Sequence, residues 1–128
     1  MGNGTPIGRV RGLGSAHAGV HHWLIQRFTA IGNLLLLGWF AVSLLLLPSL
    51  DHATVAGWLA QPLPAAAMAL LIVSTFWHAR LGLQVMLEDY VHEHGNKFAV
   101  IAALNLAAFG GAGFGLFCVL RLALGGAA

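Results

Sequence analysis

The sequence contains very little charge. Of its 128 residues, six are Lys or Arg and four are Asp or Glu, so that charged residues make up 8% of the chain, against about 25% in soluble domains. Apolar residues make up 59%, against roughly 45–50% in soluble domains. Ten charged side chains cannot cover the surface of a soluble protein of this length, whereas a protein embedded in a bilayer does not need them. The composition therefore predicts an integral membrane protein, with residues 1–128 forming a single domain.

Cysteine and clustered basic residues are also scarce. Cys118 is the single cysteine, which excludes an internal disulfide and a cysteine-based zinc or iron–sulfur site within this chain. The basic residues form no run and do not alternate with aromatic residues, so nucleic-acid binding is not expected. The N-terminal segment is rich in Gly and His and lacks the apolar region of a secretory signal. We therefore expect a multi-pass protein of a bacterial inner membrane.

Three apolar stretches are long enough to cross a bilayer, which takes about 20 residues in a helix. Residues 28–50 and 98–120 contain no charged residue, and residues 63–87 are interrupted only by His78 and Arg80. The prolines at 62 and 64 predict the start of the second helix, because proline is tolerated in a first helical turn. The sequence therefore predicts an all-α fold with three transmembrane helices, at about 27–49, 63–88 and 97–122, after an N-terminal segment of residues 1–26.

The distribution of Lys and Arg predicts the orientation of these helices. Three arginines precede the first helix, and Arg80 and Lys97 lie around the connection between the second and the third. The connection 49–63 has no Lys or Arg, and the C-terminal tail has only Arg121. Because basic residues favour the cytoplasmic side, the N-terminus and the connection 88–97 are predicted to be cytoplasmic and the C-terminus periplasmic.

The third predicted helix contains small residues at a spacing that favours close packing. Gly111 and Gly115 form a small-xxx-small pair, and such pairs let helices approach closely in lipid, where apolar burial alone does not drive association. Gly32 and Asn33 are candidates for the same role in the first helix. Three helices are too few to enclose a site, so we expect them to pack with helices of another chain.

A histidine near the middle of a membrane span is the most informative feature of the second helix. His78 lies roughly 15 Å from the predicted end of that helix, and ionisable residues at this depth are costly and usually functional. Ser74 and Gly82, one turn to either side, leave room for a flat ligand such as a porphyrin, and a neutral imidazole is a common ligand of haem iron. The structural alternative is a histidine that hydrogen-bonds to a neighbouring helix. No second histidine lies at this depth, so a six-coordinate haem needs a ligand from a partner chain.

Other polar residues near this helix have two interpretations each. Arg80 is either a snorkelling residue that reaches the membrane surface or the partner of an anionic group. Asp89 and Tyr90 are either a helix end with an interface aromatic or a pair in which the Tyr hydroxyl donates to a quinone carbonyl. His92 and His94 are solvated loop residues, or residues for proton delivery or surface metal binding.

Two segments resemble the membrane-anchor D subunits of succinate dehydrogenase (complex II). One is the run HARLGLQVMLEDYV of residues 78–91, and the other is GVHHWLIQRFTAI of residues 19–31. With the three spans, the resemblance covers most of the chain. It implies a complex with a flavoprotein subunit, an iron–sulfur subunit and a second anchor of the C type, in which FAD and the iron–sulfur clusters belong to the partners. The chain itself then has no succinate-oxidising site, and it shares a haem b and a ubiquinone site with the second anchor.

The resemblance also implies roles for individual residues. His78 corresponds to the axial ligand of the haem iron and Gly82 to a small position against the macrocycle. Arg27 corresponds to an arginine near the haem propionates, and His21 to a histidine of the same segment. His22 stands where relatives carry Asp, so no role is implied for it.

At the end of the second helix, the resemblance implies a quinone site. Tyr90 corresponds to the tyrosine that hydrogen-bonds the quinone, and Asp89 to its acidic neighbour. The role of Arg80 stays open. Two alternatives remain for the whole chain: a fumarate reductase-type or other cytochrome b anchor, and a non-redox assembly or transporter subunit in which His78 and Arg80 line a polar path.

Overall fold

The computed structural model describes residues 5–6 and 19–125, and within these ranges the fold is all-helical. It consists of α1 (Gly19–Leu46), α2 (His52–Leu59), α3 (Pro62–Tyr90) and α4 (His94–Ala123). The three long helices, α1, α3 and α4, are long and apolar enough to cross a membrane. The predicted all-α architecture with three helices that could span a membrane is therefore confirmed. Arg9 and Arg11 of the predicted N-terminal segment lie outside the described residues.

The bounds of the long helices differ from those that hydropathy predicts, and all but one lie outside the predicted limits; α1 ends at Leu46, two residues before Pro48, rather than near residue 49. α1 begins at Gly19 rather than near residue 27, so His21 and His22 belong to its first turn and not to a preceding segment. α3 and α4 likewise begin before and end after their predicted limits. The physical reason is that backbone hydrogen bonding determines where a helix ends, and a helix continues past the edge of the apolar stretch when no proline or glycine signal stops it.

The short helix α2 was not predicted. It occupies the connection between α1 and α3, where Asp51 acts as its N-cap and accepts a 2.8 Å hydrogen bond from the backbone N–H of Thr54. Trp58 on α2 stacks on Trp39 of α1 with 5.6 Å between ring centroids. Aspartate is one of the preferred N-cap residues of a helix, so Asp51 is a recognisable signal for the start of α2. The contact between the two tryptophan rings holds the short helix against α1.

α3 is the central element of the fold. α1 packs along one side of α3 and α4 along the other, and among the described residues α1 and α4 do not pack against each other. The predicted role of the glycines of α4 is confirmed, because Gly115 lies so close to α3 that an added Cβ would be 3.1 Å from Ile72 Cγ2. Gly32 of α1 faces α3 less tightly, since an added Cβ would lie 3.5 Å from Ser74 Oγ, an ordinary van der Waals contact.

Very few apolar side chains are buried inside this fold. Within the described ranges the buried apolar side chains are few (Ala65, Leu71, Leu81 and Val119), whereas many large ones are exposed, among them Phe28, Leu34, Leu45, Phe98, Leu106 and Phe114. A soluble monomer does not expose apolar surface on this scale. The outward faces of the helices are therefore suited to contact lipid or the helices of other chains.

Candidate functional site

A row of polar contacts runs along the interface between α1 and α3. Thr75 Oγ1 donates to Asn33 Oδ1 at 3.4 Å, and Ser74 Oγ donates to the backbone oxygen of Thr29 at 3.4 Å. The Oγ1 atom of Thr29 in turn lies 3.0 Å from Nδ1 of His78. Interhelical hydrogen bonds of this kind help to join helices in lipid, and here they place His78 at the α1–α3 interface.

The surroundings of His78 agree with its predicted need for a polar partner. The residue is half-buried and stands twelve residues before Tyr90, the last residue of α3, which is about 18 Å along the helix axis. Its Nδ1 atom faces Thr29, whereas no hydrogen bond to Nε2 is found in the part of the chain that the structure describes. The histidine is thus hydrogen-bonded to a neighbouring helix through one ring nitrogen, which is the arrangement that the structural alternative predicted.

The small residues one turn to either side of His78, Ser74 and Gly82, pack mainly against α1. Gly82 faces Gln26, so that an added Cβ would lie 3.4 Å from Gln26 Nε2, an ordinary van der Waals contact. Beside this contact lies an open pocket of about 320 Å³, lined by His22, Trp23, Gln26, Leu81, Gly82 and Val85. The Oε1 atom of Gln26 is buried and has no hydrogen-bond partner among the described residues. The pocket lies about one turn along α3 from His78, which is not among its lining residues.

Two further predicted haem-site residues, Arg27 and His21, lie near the start of α1. Arg27 is exposed and its guanidinium carbon lies 5.2 Å from the centroid of the Trp23 ring, a cation–π distance. His21 is exposed in the first turn of the same helix. Among the described residues, no hydrogen bond joins either side chain to His78. Both side chains are free to meet an anionic group that comes from outside the chain.

The two predicted quinone residues lie at the same end of the protein. Asp89 and Tyr90 are exposed at the end of α3, and 80% of the Tyr90 surface is accessible. α1 and α3 are antiparallel, since their contacts run from Asn33–Thr75 to Gln26–Gly82. The structure therefore brings the start of α1, the end of α3 and the start of α4 to one end, which we call the N-terminal end of the bundle. His78 lies deeper, between α1 and α3.

Arg80 lies on the opposite side of α3, against α4. Its Nε donates to Asn105 Oδ1, and its guanidinium carbon lies 5.6 Å from the Trp77 ring centroid and 5.8 Å from that of Phe109. Trp77 stands one turn nearer the start of α3, so the side chain points away from the nearer helix end. In this structure Arg80 is thus bonded to α4, and its snorkelling interpretation stays a prediction.

Three polar partners were missed by the sequence analysis. Thr29 and Gln26 lie in the segment 19–31, for which no role of theirs was predicted. Asn105, the partner of Arg80, was not predicted either. A usable signal existed for Asn105, because it is the one amide within the apolar residues 98–120. Thr29 and Gln26 had no such signal, since polar residues near a helix end are common and only the packing of α1 on α3 gives them partners.

The described ranges contain no cluster of three or more metal-ligating side chains. No three of the His, Cys, Asp and Glu residues at positions 5–6 and 19–125 come together as a metal site.

Comparison with known proteins connects this arrangement to one family. The family described as "Succinate dehydrogenase/Fumarate reductase transmembrane subunit" matches residues 1–112. The chain is similar to proteins named succinate dehydrogenase hydrophobic membrane anchor subunit. It is 32% identical to that of Rickettsia bellii (strain RML369-C) over 100 residues, which cover 78% of this chain and 80% of the relative.

Two further relatives have the same name. The protein of Rickettsia conorii (strain ATCC VR-613 / Malish 7) is 33% identical over 101 residues, 78% of this chain and 80% of the relative. The protein of Paracoccus denitrificans is 30% identical over 98 residues, 76% of this chain and 75% of the relative. The match to the family extends from the N-terminal residues into α4. The chain therefore belongs to the family of succinate dehydrogenase/fumarate reductase transmembrane subunits.

Proposed function

We propose that this membrane-anchor subunit supplies one axial ligand to a haem b and part of a quinone-reduction site in a succinate:quinone oxidoreductase. The observation that carries the proposal is the position of His78, which lies deep in a membrane-crossing helix with Nδ1 against α1 and Nε2 unbonded within the described residues. Family membership supports the anchor role, and the names of the relatives support succinate dehydrogenase as the complex.

The residues around His78 fit half of a haem site. This chain offers one imidazole as an iron ligand and a pocket beside Gly82. The buried Gln26 Oε1 has no hydrogen-bond donor among the described residues. Arg27 and His21 provide cationic and donor groups nearer the membrane surface for the propionates. When bound, a haem b supplies a one-electron redox centre. A second protein ligand for the iron would come from the partner anchor of the C type.

Tyr90 and Asp89 form this chain's part of the quinone site in the proposal. A phenol hydroxyl can donate a hydrogen bond to a quinone carbonyl oxygen, and a carboxylate can accept one from water. Both side chains are exposed at the N-terminal end of the bundle, where a partner can cover them and exclude bulk water. The chain thereby helps to hold the quinone while electrons arrive from the partner subunits.

The proposal also assigns an orientation and partners. The N-terminus and the connection between α3 and α4 face the cytoplasm of a bacterial inner membrane, and the C-terminus faces the periplasm. The N-terminal end of the bundle then docks the iron–sulfur subunit and the flavoprotein, which hold the iron–sulfur clusters and FAD. The exposed apolar faces contact lipid and the second anchor. Reporter fusions at each terminus test this orientation, and a periplasmic N-terminus contradicts it.

The central experiment replaces His78 in the purified complex. His78→Ala is expected to alter or remove the b-type band in the dithionite-reduced minus oxidised spectrum, because the iron loses a ligand. His52→Ala is the matched control, since His52 is exposed on α2 at the far end of the bundle. An unchanged spectrum with full haem content removes His78 as a ligand. Flavin content and succinate oxidation with an artificial acceptor show whether the complex has assembled.

A further inference from the structure

We propose that Thr29 is a positioning residue that determines which nitrogen of His78 is free to bind the haem iron. The inference rests on the proposed role of His78 as the axial ligand, and it assigns a function to a contact between two helices. The contact itself is a 3.0 Å approach of Thr29 Oγ1 on α1 to His78 Nδ1 on α3.

The direction of this hydrogen bond follows from the other contacts of Thr29. Its Oγ1 atom lies 2.8 Å from the backbone oxygen of Ile25 and 3.2 Å from that of Gln26. Carbonyl oxygens can only accept, and a hydroxyl has one proton to donate. A threonine within a helix commonly donates to the carbonyl four residues before it. The Thr29 proton is therefore directed to the backbone of α1, which leaves Oγ1 as an acceptor for His78.

The consequence for His78 is a defined tautomer. If Oγ1 of Thr29 accepts, Nδ1 of His78 carries the proton, and in a neutral imidazole Nε2 then has the lone pair that a metal needs. Histidine ligands of metals usually donate their other N–H to a neighbouring acceptor, which orients the ring and increases its basicity. Thr29 provides that acceptor from within this chain, whereas the iron and its second ligand come from outside it.

The position of the acceptor depends on how α1 packs against α3. Ser74 Oγ donates to the backbone oxygen of Thr29 at 3.4 Å, and Gly32 lies beside Ser74 at the next turn of α1. Thr29 is also β-branched, so its χ1 angle has few accessible values in a helix. The hydroxyl is thus held in one place by contacts that exist without any ligand, and the imidazole is oriented before the haem binds.

Thr29→Val in the assembled complex is the first test, because it removes the hydroxyl at nearly constant volume. We expect the midpoint potential of the haem to rise, since an imidazole without its acceptor is a weaker donor to ferric iron, and the EPR g-values of the oxidised haem to change. Loss of an outer partner of a metal ligand typically lowers affinity roughly 10–100-fold, so haem retention should fall as well. Thr29→Ser keeps a hydroxyl and is expected to restore the potential.

Thr75→Val is the matched control. It is the same substitution at the same interface, but the Thr75 hydroxyl bonds Asn33 and not His78, so it should leave the potential and the g-values unchanged. If the valine variant does not assemble, Thr29→Ala removes the hydroxyl without adding a methyl group beside the ring, and it carries the same expectation.

The outcomes separate this inference from the proposed function. A Thr29→Val or Thr29→Ala complex with normal haem content, potential and g-values overturns the role of Thr29 while His78 can still be the ligand. An unchanged haem spectrum in His78→Ala overturns the proposed function itself. A potential that rises in Thr29→Val, returns in Thr29→Ser and does not move in Thr75→Val supports the positioning role.

Discussion

Phe76 on α3 occupies the space that a side chain at residue 111 of α4 would need. A Cβ atom added to Gly111 would lie 2.7 Å from Phe76 Cζ, which is closer than Cβ atoms come to other heavy atoms. The neighbouring glycine, Gly110, has no heavy atom of the described residues within 4 Å of such a Cβ. Close approach of α4 to α3 thus depends on one glycine and not on the other.

Gly111→Ala is therefore expected to weaken the packing of α4 against α3. Overpacking of a close contact costs about 1–3 kcal/mol, so the assembled complex should unfold at lower temperature or lower denaturant concentration. Gly110→Ala changes the composition in the same way and should leave stability nearly unchanged. Equal effects of the two substitutions would contradict the close contact at Gly111.

Arg80 and Asn105 are expected to be energetically coupled. The Arg80 guanidinium donates to Asn105 and lies against the rings of Trp77 and Phe109. In a double-mutant cycle with Arg80→Met and Asn105→Leu, the two effects on unfolding should be non-additive by about 0.5–3 kcal/mol, as is typical of residues in contact. Arg80→Lys should not restore stability, because an ammonium group lacks the planar stacking surface of a guanidinium. Additive effects would instead mean that Arg80 acts without Asn105.

Tyr90→Phe tests the proposed quinone contact. The substitution keeps the ring and removes the hydroxyl, so quinone reduction should fall while succinate oxidation with an artificial acceptor stays normal. A loss of roughly 10²–10³-fold is typical when one hydrogen-bond donor to a developing negative charge is removed. Phe98→Leu on an exposed face of α4 serves as a control for changes at an accessible aromatic. Equal loss of both activities in Tyr90→Phe would indicate impaired assembly.

The N-cap of α2 predicts a specific pH dependence. The Ser49 hydroxyl and the backbone N–H of Thr54 both donate to the carboxylate of Asp51 and hold its pKa below the ordinary value of 3.8. A lowered pKa in the folded protein means that the charged form stabilises α2 at every pH above that ordinary value. This stabilisation is lost only as the pH falls through the lowered pKa.

Hydrogen exchange of the α2 amides measures this effect. Protection should be constant from about pH 8 to about pH 5 and should decrease only in stronger acid. Asp51→Asn keeps an N-cap acceptor without a charge that titrates, so its protection should show no acid step. Asp51→Ala should exchange faster throughout this range. A step near neutral pH in the wild type would contradict the assignment to Asp51.

Part of the site was accessible to sequence analysis because it depends on depth along one helix. The position of His78 near the middle of a span follows from counting residues within an apolar stretch, and the location of Tyr90 at its end follows from the same count. The identity of the partners did not follow. Whether Arg80 reaches the membrane surface or faces α4 depends on side-chain direction and on what the neighbouring helix presents, which in this case is Asn105.

The amino-acid sequence by itself determined that this protein is built from three apolar helices, because backbone groups in lipid must be satisfied within each span. It also determined the depth of His78, since the rise of a helix is constant. Only the tertiary structure decided that α3 lies between α1 and α4 and that Thr29 meets Nδ1 of His78. These contacts join residues far apart in the chain, and they depend on the register in which two helices pack. That register is set by the fit of the side chains at the interface, and the hydropathy pattern does not encode it.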